Sequence, residues 1–258
     1  MVLKEPCSKL GISHPKDVPA QLTTIIRLIR IIWTNSPHYN TRERLTSLFR
    51  KLSNEIIRIC CKSISLDAIF DGRVKSSIRN LIECIECCNK WKQIYRKTAL
   101  SQHKYSSQGW VLDQSSIFAQ IDAFVQRCKD LIEVCNCQIH FARWEDGEKT
   151  RMPILGGQRG PEVTRSLLEI EETFRKNLHN LMKAENAILD VKNTSWHEVF
   201  TRFRTAVKEL EVMVQNLITS AFDTVKSVDD GVMLLKVFGH FKSREAIKRT
   251  IDKKTVDV

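Results

Sequence analysis

The sequence predicts an all-α protein, built as an elongated succession of antiparallel helical bundles, on three observations. Glycine and proline are sparse, 9 and 6 in 258 residues, so long stretches contain nothing that breaks a helix. Apolar residues recur in steps of three and four along most of the chain, the spacing that lines up one face of a helix. No stretch alternates with period two well enough to be assigned as a strand, and no unit repeats at a fixed period of about 20–50 residues. Composition agrees with a packed fold: 42% of residues are apolar and 28% charged, which argues against a disordered chain. The longest apolar neighbourhood, Ile25 to Trp33, is broken by Arg27 and Arg30. It falls far short of the roughly 18 apolar residues needed to span a bilayer, so no membrane contact is expected. Residues 1–20 carry Lys4, Glu5, Lys9, Lys16 and Asp17 with no apolar core, so no secretory signal is expected and an intracellular setting is.

Residues 1–19, with Pro6, Pro15 and Pro19, read as an irregular leader. A basic helical bundle is expected over 20–144. Its first helix runs from Ala20 to Trp33 and is stopped by Asn35, Ser36 and Pro37. Thr41 is placed to cap a second, with Leu45, Leu48, Phe49, Leu52, Ile56, Ile59 and Cys60 on one face. After Asp71 and Gly72, a long third helix starts at Val74 and carries Trp91 and Tyr95, with a turn expected over Ser101–Gly109. A fourth follows a cap at Asp113–Ser116 and runs to Ile139. Residues 145–161 hold Gly147, Pro153, Gly156, Gly157 and Gly160 and form the expected link. A second bundle is expected over 162–258, incomplete at its C-terminus. Pro161 suits a first helical turn, and this fifth helix is expected to end near Asn186. Past a cap at Thr194, the series Phe200, Phe203, Val207, Leu210, Val214, Leu217 and Ala221 has the 3.5-residue spacing of a coiled-coil seam. Two short helices, one through Val232, Leu235 and Phe238 and one from Ser243, complete the chain.

The net charge of +11 is uneven. Residues 1–110 hold 19 Lys and Arg against 8 Asp and Glu, while 111–258 hold 22 of each. Arg42, Arg44, Arg50, Lys51, Arg58 and Lys62, followed by Lys90, Lys92, Arg96 and Lys97, are compatible with an acidic protein partner, an anionic surface or plain solvent. No nucleic-acid motif accompanies them, and nucleic acid is not the expected partner. Cys84, Cys87 and Cys88 form one cluster of soft ligands, and Cys135, Cys137 and His140 another. Their spacing instead continues the apolar helix faces, where cysteine packs as a small hydrophobe, and no metal site is expected. Gly156 to Gly160 precedes a helix start but lacks both the Lys-Ser/Thr of a phosphate loop and a preceding strand, so no cofactor is expected there. No Gly-x-Ser-x-Gly elbow and no His-Glu-x-x-His occurs, and no catalytic residue is assigned. Trp33, Trp91 and Trp196 read as core, whereas Trp110 and Trp144 flank loops and are candidate interface anchors.

Several blocks together carry a family resemblance: Ile25–Trp33, Asn35–Arg44, Ser53–Ile57, Ser115–Cys128, Gly156-Gly157 through Gly160-Pro161, and Ile188–Lys192 before Trp196. Over roughly residues 20–258 the chain resembles the N-terminal tail, or stem, of dynein heavy chains, and most of all the axonemal (ciliary) branch. The resemblance implies a helical, non-catalytic assembly segment truncated before the ATPase motor. It also implies association with other dynein heavy chains, binding of intermediate and light chains, and residence in the cytoplasm and cytoskeleton at the ciliary axoneme, with no small-molecule substrate. If later bundles of such a tail are missing here, the seam of the Phe200–Ala221 helix is the surface expected to be left uncovered. The rival reading is a freestanding basic helical protein that binds nucleic acid or an anionic surface.

Overall fold

The computed structural model describes residues 3–105, 110, 112–145, 147–152, 155, 159–183, 188–225 and 227–256. It is all-α apart from one two-residue ladder. The helices are α1 (Lys4–Gly11), α2 (Val18–Asn35), α3 (Arg42–Ser63), α4 (Leu66–Phe70), α5 (Val74–Tyr105), α6 (Gln114–Phe141), α7 (Gly160–Met182), α8 (Ser195–Phe222), α9 (Val228–Phe238) and α10 (Glu245–Val256), with a 3-10 turn at Gly239–Phe241. Strands β1 (Trp144–Glu145) and β2 (Glu148–Lys149) pair antiparallel and are too short to show any alternation in sequence.

The chain divides into two compact units that interleave along the sequence. The first comprises Met1–Leu66, Ser76–Ile132 and Ile188–Asn193, and the second Asp67–Lys75, Glu133–Ala187 and Thr194–Val258. Helix α6 therefore serves the first unit up to Ile132 and the second from Glu133 onward. The expected link at 145–161 lies within the second unit.

In the first unit, α2 buries Leu22, Ile25, Ile26, Ile29 and Trp33, and α3 buries Leu45, Phe49, Leu52 and Ile56, the stripes read from spacing. Thr41 caps α3 by accepting a hydrogen bond from the Arg44 backbone N–H at 3.4 Å. The expected irregular leader is corrected: Lys4–Gly11 is helical and Leu10 is fully buried. Pro6 does not prevent this, because it lies in the first turn, where a backbone N–H has no intrahelical partner. The expected turn at Ser101 is corrected too, since α5 continues to Tyr105; residues 106–109 lie outside the described residues. The first glycine after Gly72 is Gly109, so nothing in 98–105 ends the helix.

The centre of this unit is aromatic. Phe49 meets Trp91, Tyr95 and Trp110 at centroid distances of 6.0, 5.1 and 5.3 Å, and Phe118 packs on Trp91 and Tyr95 at 6.1 and 5.2 Å. Edge-on and tilted rings of this kind gain attraction beyond the area they bury. Trp91 donates its indole N–H to the Ser53 hydroxyl at 3.0 Å, which satisfies the one polar atom of a fully buried side chain. Trp110 is 3% exposed, so it is a core residue and not an interface anchor. Buried Arg127 donates to the carbonyls of Ile188 and Asn193 and so holds the returning segment 188–193.

In the second unit, α7 packs on α8 through Phe174 and Phe203, 6.3 Å apart, and Phe141 stacks on Phe174 at 5.6 Å. Helix α7 ends at Met182 and not near Asn186; residues 184–187 lie outside the described residues. Thr194 precedes α8, but its side chain makes no capping bond. Gln215 donates to the Ala246 carbonyl at 2.9 Å, and Lys254 donates to Asp223 at 2.6 Å. Helices α8 and α10 therefore run parallel, because α9 and the 3-10 turn carry the chain back between them. The hairpin rests on Gly72, whose φ is +83° and whose Cα lies against the Trp144 ring.

The Phe200–Ala221 seam is corrected as well. Phe200, Phe203, Val207, Leu210, Val214 and Ala221 are all buried, with Ile218 taking the place expected for Leu217. A helix of 3.6 residues per turn drifts away from a 3.5-residue repeat, so over 28 residues the buried stripe steps to the next position. The apolar residues this helix leaves exposed are Val212 and Met213.

Candidate interaction surface

The sequence offers two soft-ligand clusters, and the structure places one in each unit. Cys84, Cys87 and Cys88 are buried in the first unit, and Cys135 and Cys137 in the second. Burial pushes the thiols of Cys135 and Cys137 up to about 12, so they stay protonated at neutral pH and are poor nucleophiles. Among the described residues, no group of three His, Cys, Asp or Glu side chains is placed to hold a metal. Of the glycine-rich loop, Gly156, Gly157 and Gln158 lie outside the described residues. Gly160 is needed for packing: a Cβ there would fall 2.1 Å from the Leu155 carbonyl oxygen.

Two polar clusters in the second unit went unread in the sequence, because their members are far apart along the chain. Glu171, 3% exposed, receives Arg143, Lys149 and Arg175, the last at 2.7 Å. Three cations on one buried carboxylate tie the hairpin to α7. Arg244 bonds Glu211 at 2.9 Å, Glu133 at 3.1 Å and the Cys137 sulfur at 2.7 Å, and donates to His140 Nδ1 at 3.3 Å. Burial, together with the nearby Arg244 and His240, pulls the His140 imidazole down to about 4. A neutral imidazole that accepts from Arg244 and meets the Ser243 hydroxyl on its other nitrogen is committed to structure.

The surface that remains to be explained lies in the first unit, between the C-terminal half of α2 and the N-terminal half of α3. A groove of about 810 Å³ runs there, with Leu3 at its edge. Its walls include Ile31, Ile32, Trp33 and Leu48, and its cations are Arg44 and Lys51; none of its lining residues is acidic. Ile31 is 55% exposed and Tyr39 62%. The Arg44 guanidinium lies over the Tyr39 ring, 5.8 Å from its centroid, and donates to the His38 carbonyl. Isolated exposed apolar residues are ordinary, but a contiguous apolar groove with a charged rim marks an interaction site. The lining also includes Asn35, Ser36 and Ser47, and the Asn35 amide donates to the Ile31 carbonyl at 2.8 Å. Trp33, read as core from its spacing, forms the floor. Trp144, the other expected anchor, is half-buried against Gly72.

No helix among the described residues is long and apolar enough to cross a membrane. Helical units with internal ion-pair clusters, in which the buried Arg143 Nε is left without a partner, and with an apolar groove on the first of them define a helical structural module. The sequence matches the family described as dynein heavy chain, N-terminal region 1, over residues 1–258, and the chain belongs to that family. It is 44% identical over 257 residues to the Dynein-1-beta heavy chain, flagellar inner arm I1 complex, of Chlamydomonas reinhardtii, covering 100% of this chain and 6% of that protein. It is 42% identical over 257 residues to Dynein axonemal heavy chain 2 of Homo sapiens, covering 100% of this chain and 4% of the relative. A Dynein beta chain, flagellar outer arm, of Chlamydomonas reinhardtii is 26% identical over 235 residues, 91% of this chain and 5% of its own. The chain thus spans only a small fraction of these relatives, within the N-terminal region of heavy chains.

Proposed function

We propose that this chain is a non-catalytic structural and assembly segment of an axonemal dynein heavy-chain tail. In this reading it contributes to heavy-chain association and to the binding of intermediate and light chains in ciliary and flagellar motility. The observation that carries the reading is the family match along the whole chain, joined to high identity with axonemal heavy chains. The structure supports it in kind: the polar clusters tie the helices of the second unit together, and the first unit carries an apolar groove. Binding is then the mechanism, with helices presenting one face to their own unit and leaving the α2–α3 face to a partner.

The test is an immunoblot of fractionated cells and isolated cilia with an antibody raised against this segment. A band far above 29.9 kDa in the axonemal fraction is expected. A band near that mass outside cilia would overturn the reading in favour of the freestanding basic protein.

A further inference from the structure

We propose that the α2–α3 groove receives a single amphipathic helix from a partner protein, with an apolar stripe that fills the groove and acidic residues flanking it. This rests on the reading of the chain as an assembly segment and adds the chemistry of what is assembled.

Three observations define the occupant. Both walls are helices, whose backbone groups are bonded internally, so the groove has no strand edge to which an extended peptide could add. A helix satisfies its own backbone and needs only apolar side chains to fill the space between Ile31, Ile32 and Leu48. The lining spans residues 29–36 of one wall and 44–51 of the other, about two turns each, or roughly 11 Å at 1.5 Å per residue. An i, i+3, i+4, i+7 stripe matches that length. The third observation is charge. Arg44 and Lys51 line the groove with no carboxylate among them. The segment 18–63 holds eight Arg and Lys against two Glu, and one of those, Glu55, is paired with Arg58. Glu or Asp beside the stripe therefore meets uncompensated positive charge, which sets orientation and speeds encounter.

The experiment is a displayed library of 18-residue helices with a fixed i, i+3, i+4, i+7 leucine stripe and flanking positions drawn from Glu, Gln and Lys, selected against the 258-residue chain. Glu-flanked helices are expected to enrich, to weaken as salt is raised, and to bind Ile31→Glu at least ten-fold more weakly. Reselection against Arg44→Glu/Lys51→Glu is expected to favour Lys flanks. Ile31, Arg44 and Lys51 are all exposed, so circular dichroism and the melting midpoint of these variants should match the parent and separate lost binding from lost folding. An empty selection, flanks without charge preference, or binders indifferent to Ile31→Glu would overturn the proposal. None of these results bears on the mass or location of the heavy chain in cilia, so the two readings fail separately.

Discussion

Single residues carry sharply defined costs in this chain. Gly72 combines a φ of +83° with a ring atom of Trp144 only 2.4 Å from where a Cβ would sit. Positive φ alone costs a side chain about 1–2 kcal/mol, and the clash adds to it, so Gly72→Ala is expected to lower the melting midpoint by several degrees. Gly239→Ala, with open space at its Cβ, is the control and should show little effect. His140 makes stability depend on pH. Its imidazole titrates near 4 in the folded chain against about 6.5 when unfolded. Between those values the unfolded state binds more protons, so stability present above pH 6.5 is lost as pH falls toward 4. Arg244, His240 and Ser243 face this ring. Thermal melts across that range should show a smaller slope for His140→Gln than for the parent, and an equal slope would exclude His140 as the cause.

Helices pair through a few buried polar contacts as well as through apolar stripes. Ser53 on α3 accepts from the Trp91 indole on α5, and Ser53→Ala would leave that N–H buried and unpaired, a loss of about 1–3 kcal/mol readable by urea denaturation. In the second unit, Glu171→Gln keeps the shape of the side chain but removes the charge that holds Arg143, Lys149 and Arg175 together. Leaving buried cations uncompensated costs about 3–5 kcal/mol; because Lys149 and Arg175 reach solvent, the lower end is expected. Most helices were legible from spacing and caps because those signals are local. The stripes of α2 and α3 and the Thr41 cap appear in the structure where the residues put them. Helix α1 was not legible, since three prolines masked a first turn that tolerates one of them. Helix α4 and the hairpin were too short to show any periodicity. The groove left its apolar and basic residues in plain view, but nothing in sequence said that Ile31 and Leu48 face the same opening.

At the scale of the molecule, the two units share the chain by interleaving. The first needs Ile188–Asn193 to return to Arg127, and the second needs Asp67–Lys75. A piece covering residues 1–144 would therefore keep α6 but lose the carbonyls that Arg127 bonds, leaving a buried guanidinium without those acceptors. Its first unit is expected to melt at least 5 °C lower than in the whole chain, a shift that corresponds to about 1 kcal/mol for a domain of this size. Equal melting would show that 188–193 is dispensable.

The sequence by itself determined that this chain is helical, where most helices lie, which residues are apolar enough to form a core, and which family it resembles. These follow from periodicity and turn chemistry within a few residues, and from ordered blocks along the chain. Only the tertiary structure decided that the Phe200–Ala221 seam is covered and that Trp110 is core. It also brought three cations to Glu171 and left an apolar groove beside Arg44 and Lys51. Each of these depends on residues tens of positions apart meeting in space, and burial is a property of the neighbour a side chain finds, which its own spacing does not record.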